Sequence, residues 1–548
     1  MKSRAEALQS IAGQSFDVCV IGGGATGSGC ALDSQLRGFK TVQLEAADFA
    51  SGTSSTSTKM AHGGVRYLEE AIRRLDPREY RVLQRALHER IHMLHNAPFL
   101  TGTRQFITPC FSRLEVAYFE IGLKLYDWIA GRDGLAASRF IPRAETLRRI
   151  PALAADRMVG SVAYTDGQFD DARYNITLVK TFAAAGGEAL NYARVVAFKK
   201  AKNGKIEAAE VEDQISRRRF EVRARAFINA TGPYADVLRK MASPVAPARM
   251  RLSKGIHVFL PLGVLSSDDA LLIPKTEDGR VLFAIPWQGR LLVGTTDDEA
   301  KLDDTLDVKK EEVAYVLRQL NKYLARPVMP GQVVSATAGL RPLVSSGKSS
   351  DTKHLARDHL VERDPVTGLI SIMGGKWTTY RAMAEDTLDA TQKYLGGGNK
   401  CSTREHPLEG SQGYTPDYWQ TLMQEYGVTE ITARHLAQKY GVCASDVLKL
   451  VTKEPDLAQS LVEGLPPVRA EAVFAARNEM ATTIEDVLGR RLGLQLYGWR
   501  DAIRAAPTVA QLLARELGWT ETAKCQAVTE YQAKIDGWIQ KSGTVTSP

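Results

Sequence analysis

Three glycines, Gly22-x-Gly24-x-x-Gly27, constrain this chain more than any other feature. They follow a short apolar run, residues 16–21, and precede a stretch of small residues, 25–37, that reads as a helix. Glycine there permits a tight turn and lets backbone approach a pyrophosphate, while the helix N-terminus favours the anion. A second strand, 40–44, ends at Glu45, 18 residues past Gly27, where a carboxylate can accept hydrogen bonds from an adenosine ribose. Strand, helix, strand and acid in this order form a βαβ opening that binds a dinucleotide. The fingerprint alone does not separate a nicotinamide from a flavin.

Later segments bear on that choice. Phe227-Ile228-Asn229-Ala230-Thr231-Gly232 is similar to the second, strand-terminal motif of two-dinucleotide-binding flavoproteins. Gly374-Gly375-Lys376-Trp377-Thr378-Thr379 opens a helix over 376–395, and a positive helix end there can stabilise negative charge on a reduced flavin ring. Further strand-like segments fall at 222–229, 257–260, 281–285 and 291–293, and an Arg-rich helix at 76–96. After a linker at 404–414 the pattern is helical, with breaks at Gly427, Gly441, Pro466-Pro467 and Pro507. We divide the chain into residues 1–400 and a helical C-terminal domain, 401–548.

Composition narrows the class. With 44% hydrophobic and 24% charged residues over 548 positions, the chain is neither disordered nor collagen-like nor disulfide-stapled. Its six cysteines lack any C-x-x-C spacing, which argues for no metal cluster and for a reducing compartment. Residues 1–17 lack the apolar core of a signal peptide, and no apolar run approaches the ~20 residues a bilayer requires. The excess of 8 positive charges suits an anionic substrate, an anionic membrane surface or nucleic acid. No basic–aromatic RNA-binding motif and no long Lys/Arg run supports the last, so we expect no nucleic-acid partner.

The segment Ser54-Ser55-Thr56-Ser57-Thr58-Lys59-Met60-Ala61-His62-Gly63-Gly64-Val65-Arg66-Tyr67-Leu68-Glu69 resembles the signature of FAD-dependent (aerobic, respiratory) glycerol-3-phosphate dehydrogenases. Phe169-Asp170-Asp171-Ala172-Arg173, Lys254-Gly255-Ile256-His257, Ile285-Pro286-Trp287, Gly294-Thr295-Thr296-Asp297 and Gly339-Leu340-Arg341-Pro342 match in order. In the tail, Glu479-Met480-Ala481-Thr482-Thr483-Ile484-Glu485-Asp486-Val487-Leu488 is similar to the family's C-terminal domain. The resemblance implies an α/β fold: a two-dinucleotide-binding, Rossmann-like FAD domain, an interleaved antiparallel-sheet substrate domain and an all-α C-terminal domain. It implies oxidation of sn-glycerol 3-phosphate to dihydroxyacetone phosphate, with hydride passing to flavin N5 and electrons to membrane quinone. A glycerol-phosphate oxidase using dioxygen is the alternative.

Residue roles follow from that chemistry. A dianionic phosphate calls for cationic, fork-shaped donors, and the resemblance assigns Arg66, Tyr67, Arg357 and Lys376 to it. Arg341 is placed at the reacting C2 hydroxyl, where a fixed cation stabilises alkoxide character. His257 is the candidate base, and His62 competes for that role or else holds the flavin and the adjoining loop. The expected FAD-binding set is Gly22, Gly24, Thr26, Gly27, Glu45, Ser54, Ser55, Thr58, His62, Gly63, Gly64, Gly232, Gly375 and Thr378. On a helical wheel of 113–129, Arg113, Glu120, Lys124 and Asp127 form one polar stripe and apolar side chains cover most of the rest. That pattern fits a core helix or one lying in a membrane interface. The resemblance favours peripheral attachment to the inner face of the cytoplasmic membrane, and it implies a homodimer.

Overall fold

The buried strand Ser15–Ile21 organises the first half of the molecule. It pairs in parallel with Thr41–Leu44 on one side and with Arg219–Asn229 on the other. Glu188–Leu190 and Ile370–Gly374 extend this parallel sheet outward at its two edges. Parallel neighbours need crossover connections, and helix Ala25–Leu36 supplies the first, packing against Asp171–Ala184 and Tyr380–Leu395. The computed structural model describes residues 1–64, 77–131, 134–344 and 359–544.

A second, mostly antiparallel sheet is built around Met250–Pro261, which pairs along its length with Ser335–Val344 and also with Arg290–Gly294. It continues through Leu282–Trp287, Ala270–Ile273, Thr101–Cys110 and Gly160–Phe169. The chain passes between the two sheets several times, so the domains interleave as the sequence predicts. Segment 53–64 is one such passage and runs along the seam.

From Tyr418–Tyr426 to Glu521–Ser542 the elements are helices, and the last turns at Gly427 and Gly441 close on positive φ. The expected break at Pro507 does not occur: it lies inside helix Trp499–Leu517. Loss of one backbone donor is tolerated there because Ala502, Ala505, Ala506, Val509, Ala510 and Leu513 stay in phase on one buried face. The linker is pinned rather than loose, since Leu408 N–H donates to the Asn96 carbonyl at 2.8 Å and Glu409 N–H to Thr181 Oγ1 at 2.9 Å. Among the described residues no helix is long and apolar enough to cross a membrane.

Candidate active site

The glycine turn closes as its spacing requires. A Cβ on Gly22, where φ is +123°, would lie 2.4 Å from the Ala230 carbonyl oxygen, and one on Gly27 would lie 2.1 Å from that of Gly22. The turn therefore presses the first strand end against the Ala230-Thr231-Gly232 strand end, and Ala230 N–H donates to the Ile21 carbonyl at 2.9 Å. Glu45 stands beside them, its carboxylate accepting from Gly23 N–H at 2.6 Å and Ala47 N–H at 2.8 Å. Burial raises its pKa against those two bonds. A carboxylate has about four acceptor positions, so capacity remains for a ribose hydroxyl. A Cβ on Gly232 would meet nothing within 4 Å, which leaves room above the strand ends. These features fit the phosphate and ribose portion of FAD, at the carboxyl ends of parallel strands where such ligands bind.

The other expected cofactor residues gather along 53–64. Ser54 Oγ accepts from Ala25 N–H at 2.9 Å, occupying one amide of the helix N-terminus. Trp377 Nε1 donates to the Ser54 carbonyl at 2.9 Å. The Thr26 hydroxyl is directed to Met383 Sδ, and the Ser55 hydroxyl to the Gly52 carbonyl within its own turn. His62 N–H donates to Thr378 Oγ1 at 3.2 Å, and Lys376 Nζ donates to the Gly63 carbonyl at 3.1 Å. Gly64 and Gly375 both hold positive φ, and a Cβ on Gly375 would lie 2.3 Å from Met383 Sδ. Gly63 N–H is held from the far side by Tyr126 Oη at 2.9 Å, which in turn donates to Asp166 at 2.9 Å. Arg90 completes that buried chain with a 2.9 Å bond to Asp166.

His257 and Arg341 come together on the second sheet. Residues 253, 255 and 257 share one strand face, and Arg341 lies opposite Ser253 on the neighbouring strand. The guanidinium lies across Gly255, where a Cβ would sit 2.1 Å from it. It donates to Thr295 Oγ1 at 2.7 Å and to Asp297 at 3.2 Å, which fixes its direction. Gly294 leaves space for the His257 ring, whose Nε2 is 3.0 Å from Thr58 Oγ1. Nδ1 of His257 is buried and makes no hydrogen bond to the described residues. Burial, with Arg341 and Lys59 nearby, pushes the imidazole pKa down to about 3, so the ring is neutral around pH 7.

Lys376 therefore has a backbone partner in the loop as well as its motif position, and His62 is tied in by its main chain. Arg66, Tyr67 and Arg357 lie outside the described residues. Sequence reasoning missed Tyr126, Asp166 and Arg90, and also Lys59, which forms a buried ion pair with Asp171 and lies 5.0 Å from the centroid of the Trp287 ring. The signal for Lys59 and Asp171 was present, since both stand inside the quoted motifs. Tyr126 gave none, because the sequence leaves open which side of helix Arg113–Ala130 is buried.

Comparisons with known proteins identify the family. The family model described as FAD dependent oxidoreductase matches residues 17–381, and that of the C-terminal domain of alpha-glycerophosphate oxidase matches 401–524. The mitochondrial glycerol-3-phosphate dehydrogenase of Mesocricetus auratus is 40% identical over 95% of this chain and 73% of its own length. The Homo sapiens enzyme of the same name is 39% identical over 93% of this chain and 71% of its own. The structure of glycerol-3-phosphate dehydrogenase from Bacillus halodurans complexed with FAD superposes with a TM-score of 0.81, 27% identity and full coverage of both chains. With a family model matched over residues 17–381, relatives about 40% identical over nearly the whole chain and a solved structure matched over its full length, the chain belongs to the FAD-dependent glycerol-3-phosphate dehydrogenase family.

Proposed function

We propose that this chain oxidises sn-glycerol 3-phosphate to dihydroxyacetone phosphate and delivers the electrons to a membrane quinone. The observation that carries the reading is the fixed Arg341 guanidinium beside a neutral, buried His257, whose ring abuts Thr58 of the segment that leads from the dinucleotide turn. The names of relatives about 40% identical over nearly the whole chain support the substrate. FAD, held by Gly22, Gly24, Gly27, Glu45, Gly232 and the 53–64 and 375–378 loops, supplies the two-electron acceptor.

The chain's own residues do the rest. Arg341 stabilises negative charge on the C2 oxygen, a preorganised cation that needs no reorientation because Thr295 and Asp297 already hold it. His257 accepts the hydroxyl proton, and a dianionic phosphate nearby offsets the Arg341 and Lys59 charges that depress its basicity. Lys376 serves the phosphate, together with Arg66, Tyr67 and Arg357, whose place in the motif supports that role. The working domain boundary is residue 400, supported by the last α/β-packed helix ending at Leu395 and the helical family match beginning at 401.

Helix Arg113–Ala130 supports attachment to a lipid surface. Leu114, Tyr118, Ile121 and Trp128 form one exposed stripe, with Leu114 83% and Trp128 71% accessible. An apolar stripe of this kind, bordered by the polar stripe of Arg113, Glu120, Lys124 and Asp127, matches a helix lying in a membrane interface. We also propose a homodimer, which light scattering of the purified protein should read as twice the 60.1 kDa mass of the chain.

The deciding experiment is anaerobic titration of the flavin absorbance. Glycerol 3-phosphate should bleach it, whereas glycerol and a panel of amino acids should not. Bleaching by an amino acid overturns the substrate. Stoichiometric peroxide in aerobic turnover without quinone overturns the acceptor.

A further inference from the structure

The C-terminal segment 479–491, which starts with the motif 479–488, packs against the dinucleotide site from behind. Asp48, three residues past Glu45 and 1% exposed, is gripped by two consecutive arginines just beyond that motif. Arg490 Nε donates to Asp48 Oδ2 at 2.6 Å, and Arg491 forks onto both oxygens, its Nη2 donating to Oδ1 at 2.9 Å. Arg491 Nη2 also donates to the Glu479 carbonyl at 2.6 Å. The Glu479 side chain in turn receives a buried fork from Arg173, with Nη1 donating at 2.7 Å and Nη2 at 2.5 Å. Asn191 joins the two sides, its Nδ2 donating to Asp48 Oδ1 at 3.1 Å and to the Met480 carbonyl at 2.9 Å.

Both anchors act on the same small piece of backbone. The turn that carries Asp48 runs from Glu45 to Ala50, and Ala50 N–H donates to the Gly23 carbonyl at 3.1 Å. Phe49 of that turn lies against Gly23, where a Cβ would come within 2.8 Å of its ring. Asn175, half a turn beyond Arg173 on helix Asp171–Ala184, donates from Nδ2 to the same Gly23 carbonyl at 2.8 Å. Gly23 N–H is the donor to Glu45. One peptide of the glycine turn is thus fixed through two routes, and each route ends in an ion pair to the C-terminal helices.

We propose that the C-terminal domain is part of the FAD site, with Arg491 and Glu479 as positioning residues that set the Gly23 turn and the Glu45 carboxylate for the adenosine half of the cofactor. The two carboxylate–guanidinium forks sit at the two ends of the same segment, 479–491, so docking of the domain and shaping of the turn are one event. The proposal rests on FAD being the cofactor, which the flavin spectrum of the wild-type holoprotein tests separately.

Affinity for FAD is measured by fluorescence quenching on full-length apoprotein. Asp48→Asn keeps the shape of the side chain and loses the charge, and Arg491→Lys keeps the charge and loses the fork. Each should raise the FAD dissociation constant about tenfold, the size expected for directly coupled neighbours. Leu436→Ala, in the helical domain's own core, serves as a control of comparable thermal destabilisation and should leave the constant within about twofold. A second readout needs no variant. Coupling is reciprocal, so FAD added to wild-type apoprotein should slow amide exchange across 479–491 as well as at the glycine turn. Unchanged FAD affinity in Asp48→Asn and Arg491→Lys, or unchanged exchange at 479–491 on FAD binding, overturns the proposal.

Discussion

His257 is neutral because of where its strand puts it. Burial takes the ring out of water, and Arg341 and Lys59 add like-charge repulsion to any proton it gains, which together bring its pKa to about 3. The unfolded chain takes that proton near pH 6.5. Between about 6.5 and 3 the unfolded state therefore binds more protons, and this residue makes the fold less stable as pH falls through that window. His257→Asn should flatten the acid limb of the thermal midpoint between pH 6.5 and 4, although it lowers kcat by about 10²-fold or more as a lost acid–base group would. The free enzyme's kcat/KM should likewise show no His257 ionisation near pH 6.5. An acid limb at 6.5 that vanishes in His257→Asn would show that the ring titrates freely, contrary to its burial.

At the scale of elements, the parts legible in the sequence are those written locally. Gly22, Gly24 and Gly27 report a turn because their spacing stands between a strand and a helix and Gly27 packs on Gly22 five residues before it, although the Ala230 carbonyl and the Ser54 hydroxyl that Gly22 and Gly24 accommodate come from farther along the chain. Gly255 and Gly294 are understood only afterwards, since what they accommodate is the Arg341 guanidinium and the His257 ring from adjacent strands. The bond from Gly63 to Tyr126, or from Asp48 to Arg491, joins positions with no local signature, and periodicity cannot find such pairs. Helix Arg113–Ala130 shows both halves of the lesson. Its amphipathy was visible, yet only the fold decides which side is buried, and it buries Leu123, Tyr126 and Ile129 while leaving Leu114, Tyr118, Ile121 and Trp128 outside. A stripe of apolar side chains at that exposure should drive binding to lipid. Replacing Ile121 and Trp128 together by Glu should abolish co-sedimentation with anionic vesicles while the flavin still bleaches with glycerol 3-phosphate. Undiminished co-sedimentation would remove this helix from the attachment surface.

At the scale of the whole molecule, the helical domain is held to the flavoprotein body by charges that water does not reach. Burial alone would raise the Glu479 carboxyl, but the guanidinium of Arg173 and the ammonium of Lys180 outweigh it and bring the pKa down to about 2 from 4.5. A carboxylate held this low contributes stability that is complete above pH 4.5 and disappears as pH falls through about 2. The shift corresponds to about 3 kcal/mol, the same order as the cost of breaking a buried ion pair. Glu479→Gln leaves Arg173 buried without its counter-charge, so at pH 7 the variant should unfold at a clearly lower temperature than the wild type. Because wild-type Glu479 itself becomes protonated in acid, the two melting temperatures should converge between pH 4.5 and 2. Scanning calorimetry across that range measures the gap directly. A gap that stays constant with pH would mean that Glu479 holds the domains by shape and hydrogen bonding, with its charge contributing nothing.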